Sequence, residues 1–90
     1  MNIKYLKKNL FFQSGHRGCK ELDIILGNFA KKFLMDFDSN STLLYKELLN
    51  MPDNDIYNWI TEYATPPKQF NHKLLKQIIL FNKKKYEKSS

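Results

Sequence analysis

The sequence predicts an all-α protein, a compact bundle of five short helices. Three observations carry this expectation. Apolar residues recur at helical spacing through most of the 90 residues. No segment alternates with period two for more than a few residues. Helix breakers separate the periodic stretches: Ser14-Gly15, the polar run from Asp36 to Ser41, Pro52 and Pro66-Pro67.

Ile3, Leu6 and Leu10 step i, i+3, i+7 through a short first helix that stops around Ser14-Gly15. Leu22, Ile25, Leu26, Phe29 and Phe33 form the cleanest amphipathic stripe and define a second helix from about 19 to 34. Gly27 inside it costs about 1 kcal/mol relative to Ala, so close packing is expected there. A polar loop from Asp36 to Ser41 supplies cap residues, and a third helix carries Leu44, Leu48 and Leu49. Pro52-Asp53 opens a fourth helix with Ile56, Trp59, Ile60 and Tyr63 on one face. Pro66-Pro67 closes it, since proline cannot continue a helix. A fifth helix carries Leu74, Leu75, Ile78, Ile79 and Phe81. The organisation is one helical domain over 1–85 followed by a flexible basic tail over 86–90. The buried set should include Leu22, Leu26, Phe29, Leu48, Ile56, Trp59 and Ile78.

A chain of this size buries only about 60–65% of its unfolded surface, which leaves no room for a deep catalytic cleft. One Trp, five Tyr and seven Phe fill such a core and leave some aromatics for a contact surface. The single cysteine, Cys19, excludes an internal disulfide and a cysteine-built zinc site, which suits a reducing compartment. It reads as a small residue at a helix start, or as a reactive thiol. No apolar run approaches the roughly 18–20 residues of a membrane span, so no membrane insertion is expected. Leu10-Phe11-Phe12 is too short for a signal core, and the expectation is a bacterial-type cytoplasmic protein.

Net charge is +6 but unevenly placed. Residues 1–32 carry seven positive and two negative charges, residues 36–62 one and six, residues 63–90 seven and one. A sequence pI near 9.5 permits nucleic-acid binding, while the acidic middle argues against a uniformly basic binding face. The run Lys83-Lys84-Lys85 reads as a solvated tail.

Enzyme signatures are nearly absent. There is no Gly-rich phosphate loop and no metal-ligand spacing, so neither catalytic nor metal residues are assigned. His16 and His72 read as surface or packing histidines. Asp53 and Asp55 read as a helix N-cap and a first-turn charge. Trp59 reads as core, and Tyr63 likewise.

The run His16-Arg17-Gly18-Cys19-Lys20-Glu21-Leu22-Asp23 differs. Arg17 is the one arginine among 15 basic residues; all the others are lysines. Arg and Lys part company where a planar, bidentate fork is needed, so position 17 demands geometry as well as charge. Gly18 lies between two helices, where a backbone without Cβ turns sharply or approaches a partner closely. Arg17 before it is free to project outward. Glu21 lies one turn into the second helix, within reach of the turn or of a partner's basic group. Asp23 stands where the helix dipole favours a carboxylate. Two readings stay open from the residues alone: a corner held by a local ion pair, or a partner-binding site.

Arg17-Gly18-Cys19-Lys20-Glu21 resembles the RGxxE motif of the SdhE-type flavinylation factors, the succinate dehydrogenase assembly factor 2 family. The resemblance continues through Leu22-Asp23, Leu48-Leu49, a Pro-Asp linker, Asp55-Ile56-Tyr57-Asn58-Trp59-Ile60 and Pro66, covering roughly residues 4–82. It implies a small helical chaperone that binds the flavoprotein subunit of succinate dehydrogenase, and of fumarate reductase in some bacteria. Such a factor promotes covalent attachment of FAD to a histidine of that subunit. The resemblance further implies that Arg17-Gly18 enter the flavoprotein near its active site with Glu21 in support, and that His16 and Asp23 complete the partner-binding set. It implies no enzyme activity and no cofactor held by this chain, the FAD being the partner's. Nothing in the sequence demands a dimer, so a monomer is expected, and no specific nucleic-acid partner. Two positions depart from many relatives: His16 replaces a second basic residue, and Ala64 a frequent glycine. The alternative function is a small basic nucleic-acid-binding or antitoxin-like regulatory protein. Against it, alternating charges near the start of the second helix do not make a basic recognition face.

Overall fold

The computed structural model describes residues 2–89, with side chains through residue 84. Asn2 caps the first helix, α1 (Ile3–Ser14), by accepting the N–H groups of Lys4 and Tyr5 on its side-chain oxygen at 3.0 and 3.3 Å. Leu6, Leu10 and Ser14 face inward, one turn apart. Gly15 ends the helix, donating its N–H to the Phe12 carbonyl.

Helix α2 (Lys20–Phe33) buries the predicted stripe: Leu22, Leu26, Phe29 and Ala30 are fully enclosed and Ile25 nearly so. A 3-10 turn, Leu34–Asp36, continues it. Lys7 of α1 lies buried across this end and donates from Nζ to the Met35 carbonyl at 2.8 Å. A cation at a helix C-terminus satisfies orphan carbonyls and meets the negative end of the dipole.

Helix α3 (Ser39–Leu49) starts earlier than expected, because Asp38 acts as N-cap and accepts the Ser41 N–H at 2.7 Å. Its inner face is Thr42, Tyr45, Leu48 and Leu49, with Leu44 only partly covered. Helix α4 (Asp53–Ile60) buries Ile56, Trp59 and Ile60. Helix α5 (Lys73–Ser89) buries Leu74, Leu75, Ile78 and Asn82. His72 caps it by accepting the Leu75 N–H on Nδ1 at 3.2 Å. The side chains of the expected tail over 86–90, and Ser90 altogether, lie outside the described residues.

Helix α1 packs on α2 and α3; α5 closes the bundle against α2, α3 and α4. The radius of gyration, 12.4 Å, matches the about 12 Å of a compact chain of this length. Phe29 sits at the centre, with ring centroids of Phe33, Phe81, Phe37 and Tyr45 between 5.1 and 6.1 Å away. Such tilted and edge-on pairs add to area burial about 0.5–1.5 kcal/mol each. Every residue of the expected buried set is buried.

Two expectations need correction. Tyr63 is 82% exposed and lies beyond α4, which stops at Ile60 well before Pro66. Glu62 takes a left-handed backbone, φ 66°, which breaks the i, i+4 step from Trp59 to Tyr63. The ring that covers Trp59 is instead Phe70, from a 3-10 turn at Lys68–Phe70, stacked at 5.3 Å. Gly27 does face a close backbone approach, but a Cβ there would meet the Gly15 Cα at 3.7 Å, an ordinary contact.

No helix among the described residues is long and apolar enough to cross a membrane. Among the same residues, no group of three His, Cys, Asp or Glu side chains is placed to hold a metal ion.

Candidate functional site: the corner between α1 and α2

Residues 15–19 turn the chain from α1 into α2, and three contacts fix their shape. At the α1 side, the His16 ring stacks on Phe12, with centroids 3.9 Å apart and planes within 10°. Its Nδ1 lies 2.8 Å from the Phe12 carbonyl, which only accepts, so Nδ1 carries the proton in this contact. At the α2 side, the Asp23 carboxylate reaches back to the Arg17 backbone N–H. Cys19 is the N-cap residue, and its side chain makes no cap hydrogen bond.

The third contact spans the molecule. Asp53, the first residue of α4, points its carboxylate at the corner. Oδ1 accepts from Arg17 Nε at 2.7 Å and lies 2.6 Å from Arg17 Nη2. Oδ2 accepts the backbone N–H groups of Gly18 at 2.8 Å and Cys19 at 3.3 Å. The same Nη2 also donates to the Met51 carbonyl at 3.3 Å. Burial alone would raise the Asp53 carboxyl; the Arg17 and Gly18 hydrogen bonds, the Arg17 charge and the Cys19 N–H outweigh it and hold the carboxyl below its ordinary value of 3.8.

The clamp explains Gly18. Its φ is not left-handed, so turn geometry does not require glycine. A Cβ at this position would lie 3.3 Å from Asp53 Oδ2, closer than an ordinary contact. The close approach read from the sequence is thus made to a carboxylate of the same chain.

Behind the corner lies a buried polar pair. Ser14 Oγ donates to the Leu10 carbonyl at 2.7 Å, so the Tyr45 hydroxyl, 2.6 Å away, donates to Ser14 Oγ. Burial pushes the Tyr45 hydroxyl up to about 12, against the Ser14 hydrogen bond and the Arg17 charge, which lower it. The corner therefore rests on a neutral, satisfied base.

The five residues singled out in the sequence come together here with different exposures. His16, Gly18 and Glu21 are exposed; Asp23 is partly covered. Arg17 does not project outward. Its side chain is only 12% exposed, folded onto Asp53. Glu21 makes no hydrogen bond or ion pair among the described residues. Asp53 is the residue that sequence reasoning missed. Its first-turn position in α4 suggested a cap, but its carboxylate serves a corner 35 residues away. The one available signal was the lone arginine, which needed an acidic partner.

The chain is similar to curated proteins along most of its length. It is 43% identical over 78 residues to succinate dehydrogenase assembly factor 2, mitochondrial, of Drosophila virilis, covering 81% of this chain and 49% of the relative. The figures are 40% over 74 residues, 80% and 46%, for assembly factor 2-A, mitochondrial, of Drosophila persimilis. For the Dictyostelium discoideum assembly factor 2, mitochondrial, they are 38% over 76 residues, 84% and 54%. The chain thus spans about half the length of the curated relatives it matches. These relatives are mitochondrial, which overturns the expectation of a bacterial-type cytoplasmic protein. A family model described as Sdh5, flavinator of succinate dehydrogenase, matches residues 8–82, from α1 through the clamped corner to the buried face of α5. By that match and those identities, the chain belongs to the family of succinate dehydrogenase flavinators.

Proposed function

We propose that this chain is an assembly factor for succinate dehydrogenase that binds the flavoprotein subunit through the corner at 16–23 and promotes covalent attachment of FAD there. The observation that carries the reading is the pairing of exposure with rigidity. Gly18 and Glu21 lie at the surface of a corner pinned by Asp23 on one side and Asp53 on the other. A recognition element held in one shape loses little entropy on docking, which favours affinity. The family match supports the client class, since its description names succinate dehydrogenase.

The reading assigns no enzyme activity to this chain. The bond between flavin and subunit forms on the partner, and FAD stays there. The factor acts by preferring the flavinylation-competent arrangement of its client, which shifts the population toward it. By likeness to the relatives, its setting is the mitochondrion.

The test is a pull-down of the flavoprotein subunit by this chain, followed by in-gel flavin fluorescence of the subunit produced with and without it. Co-purification and a brighter flavin band with the factor support the reading. Equal bands and no co-purification would remove it.

A further inference from the structure

Two letters of the Arg17-Gly18-x-x-Glu21 run are engaged inside the molecule. The Arg17 fork is taken up by Asp53 Oδ1 and the Met51 carbonyl. Gly18 is adjusted to Asp53 Oδ2 both through its N–H and through the Cβ it lacks. The Asp53 carboxylate has four donors around it, all from residues 17–19. Glu21, the third motif residue, keeps its carboxylate without a partner among the described residues and is exposed, as is Lys20 beside it.

We infer that Asp53 is a positioning residue through which Arg17 acts: the Arg17–Asp53 clamp stays closed in the docked complex, and Glu21 makes the charged contact, with a cationic side chain on the partner. The inference rests on the proposed binding of the flavoprotein subunit and deepens it.

The alternative is that Arg17 leaves Asp53 and reaches into the partner. Opening would strip Asp53 of its cation while its side chain is only 25% exposed. It would also break the charge-assisted hydrogen bond from Nε at 2.7 Å and the ion pair at 2.6 Å before any new contact forms. A partner carboxylate could at best replace what is lost. With the clamp closed, the corner meets its partner already shaped, and Glu21 needs no rearrangement to be reached.

The two possibilities predict opposite signs in one experiment. Affinity for the purified flavoprotein subunit is measured by calorimetry for wild type, Arg17→Lys, Asp53→Asn, the double variant and Glu21→Gln. Circular dichroism confirms that each variant is folded at the working temperature, so altered affinity does not report lost fold. With the clamp closed, Arg17→Lys and Asp53→Asn each weaken binding by about tenfold, the scale of one charge-assisted contact. The double variant is then no weaker than the weaker single, because both changes remove one device. Glu21→Gln also weakens binding by about tenfold, and by the same factor in the Asp53→Asn background.

If Arg17 instead meets the partner directly, Asp53→Asn releases it, affinity holds or rises, and Arg17→Lys still weakens binding in that background; this result overturns the inference. Should Asp53→Asn fail to fold, the wild-type Arg17 Nε–H resonance decides by NMR. A shift unchanged between free and bound chain supports a closed clamp, and a large shift on binding overturns it. A wild-type chain that does not bind the subunit removes the functional reading itself and this inference with it. That outcome is separate from a binding wild type with the wrong pattern among variants.

Discussion

Two connections in this bundle are held in contrasting ways. The α1–α2 corner is fixed by polar contacts: a carboxylate from α4 collects a guanidinium and two backbone N–H groups. The α4–α5 connection, residues 61–72, is fixed by apolar stacking of Phe70 on Trp59, with His72 capping the next helix. Stacking of two rings anchors a segment strongly but tolerates rotation and sliding. Three directional hydrogen bonds and an ion pair anchor less strongly but define where the backbone of the corner lies. A chain that must present a surface in one orientation benefits from the second device, and that is the one found beneath Gly18.

The largest effect should come from the apolar connection. Phe70→Ala removes a ring that is 4% exposed and uncovers Trp59, so unfolding free energy should fall by about 3–5 kcal/mol. Denaturant melts at pH 7 check this, and the dependence on pH should be that of wild type. The polar corner should cost less. Asp53→Asn keeps the shape of the side chain but loses the charge, and because the pair is partly solvated the loss should be about 1–2 kcal/mol. If the two substitutions proved equally costly, the contrast between the connections would fail.

Acid sharpens the comparison. The folded Asp53 carboxyl titrates below its ordinary value of 3.8, so its contribution is complete well above that value and is lost as pH falls through the folded value. Wild type should therefore lose more stability than Asp53→Asn between about pH 5 and pH 2, read from melts across that window. Phe70→Ala should retain the wild-type slope.

How far the sequence announced each connection follows from the physics of the residues. The α2 stripe was legible because five apolar side chains at helical spacing have one economical arrangement, and all but Phe33 are buried. Tyr63 misled, since it extends the Trp59 stripe by one turn, and nothing local announces the left-handed Glu62. Tyr45 and Ser14 gave no apolar signal; they are buried because each satisfies the other's hydroxyl. In the corner, the need for a planar fork at Arg17 was legible from composition. Its partner was not, because Asp53 lies 36 residues further on and pairing across the bundle leaves no periodic trace. Glu21 was legible through the motif alone, and only the structure showed that it has no partner among the described residues.

The smallest effect belongs to the close approach of α2 to the end of α1. Gly27→Ala places a methyl at ordinary contact distance from Gly15 and removes the glycine penalty, so stability should rise by up to about 1 kcal/mol. A loss in thermal melts would show that the two backbones are packed tighter than the contact implies.

On the proposed function, the corner is the surface presented to a flavoprotein. Glu21 tests it most directly, because it is exposed and makes no internal contact among the described residues that a substitution could damage. The measurement is in-gel flavin fluorescence of the flavoprotein subunit produced with limiting wild-type factor or with Glu21→Gln. The expected result is a melting temperature equal to wild type and a markedly dimmer flavin band. A band as bright as wild type, with the factor equally abundant, would contradict it.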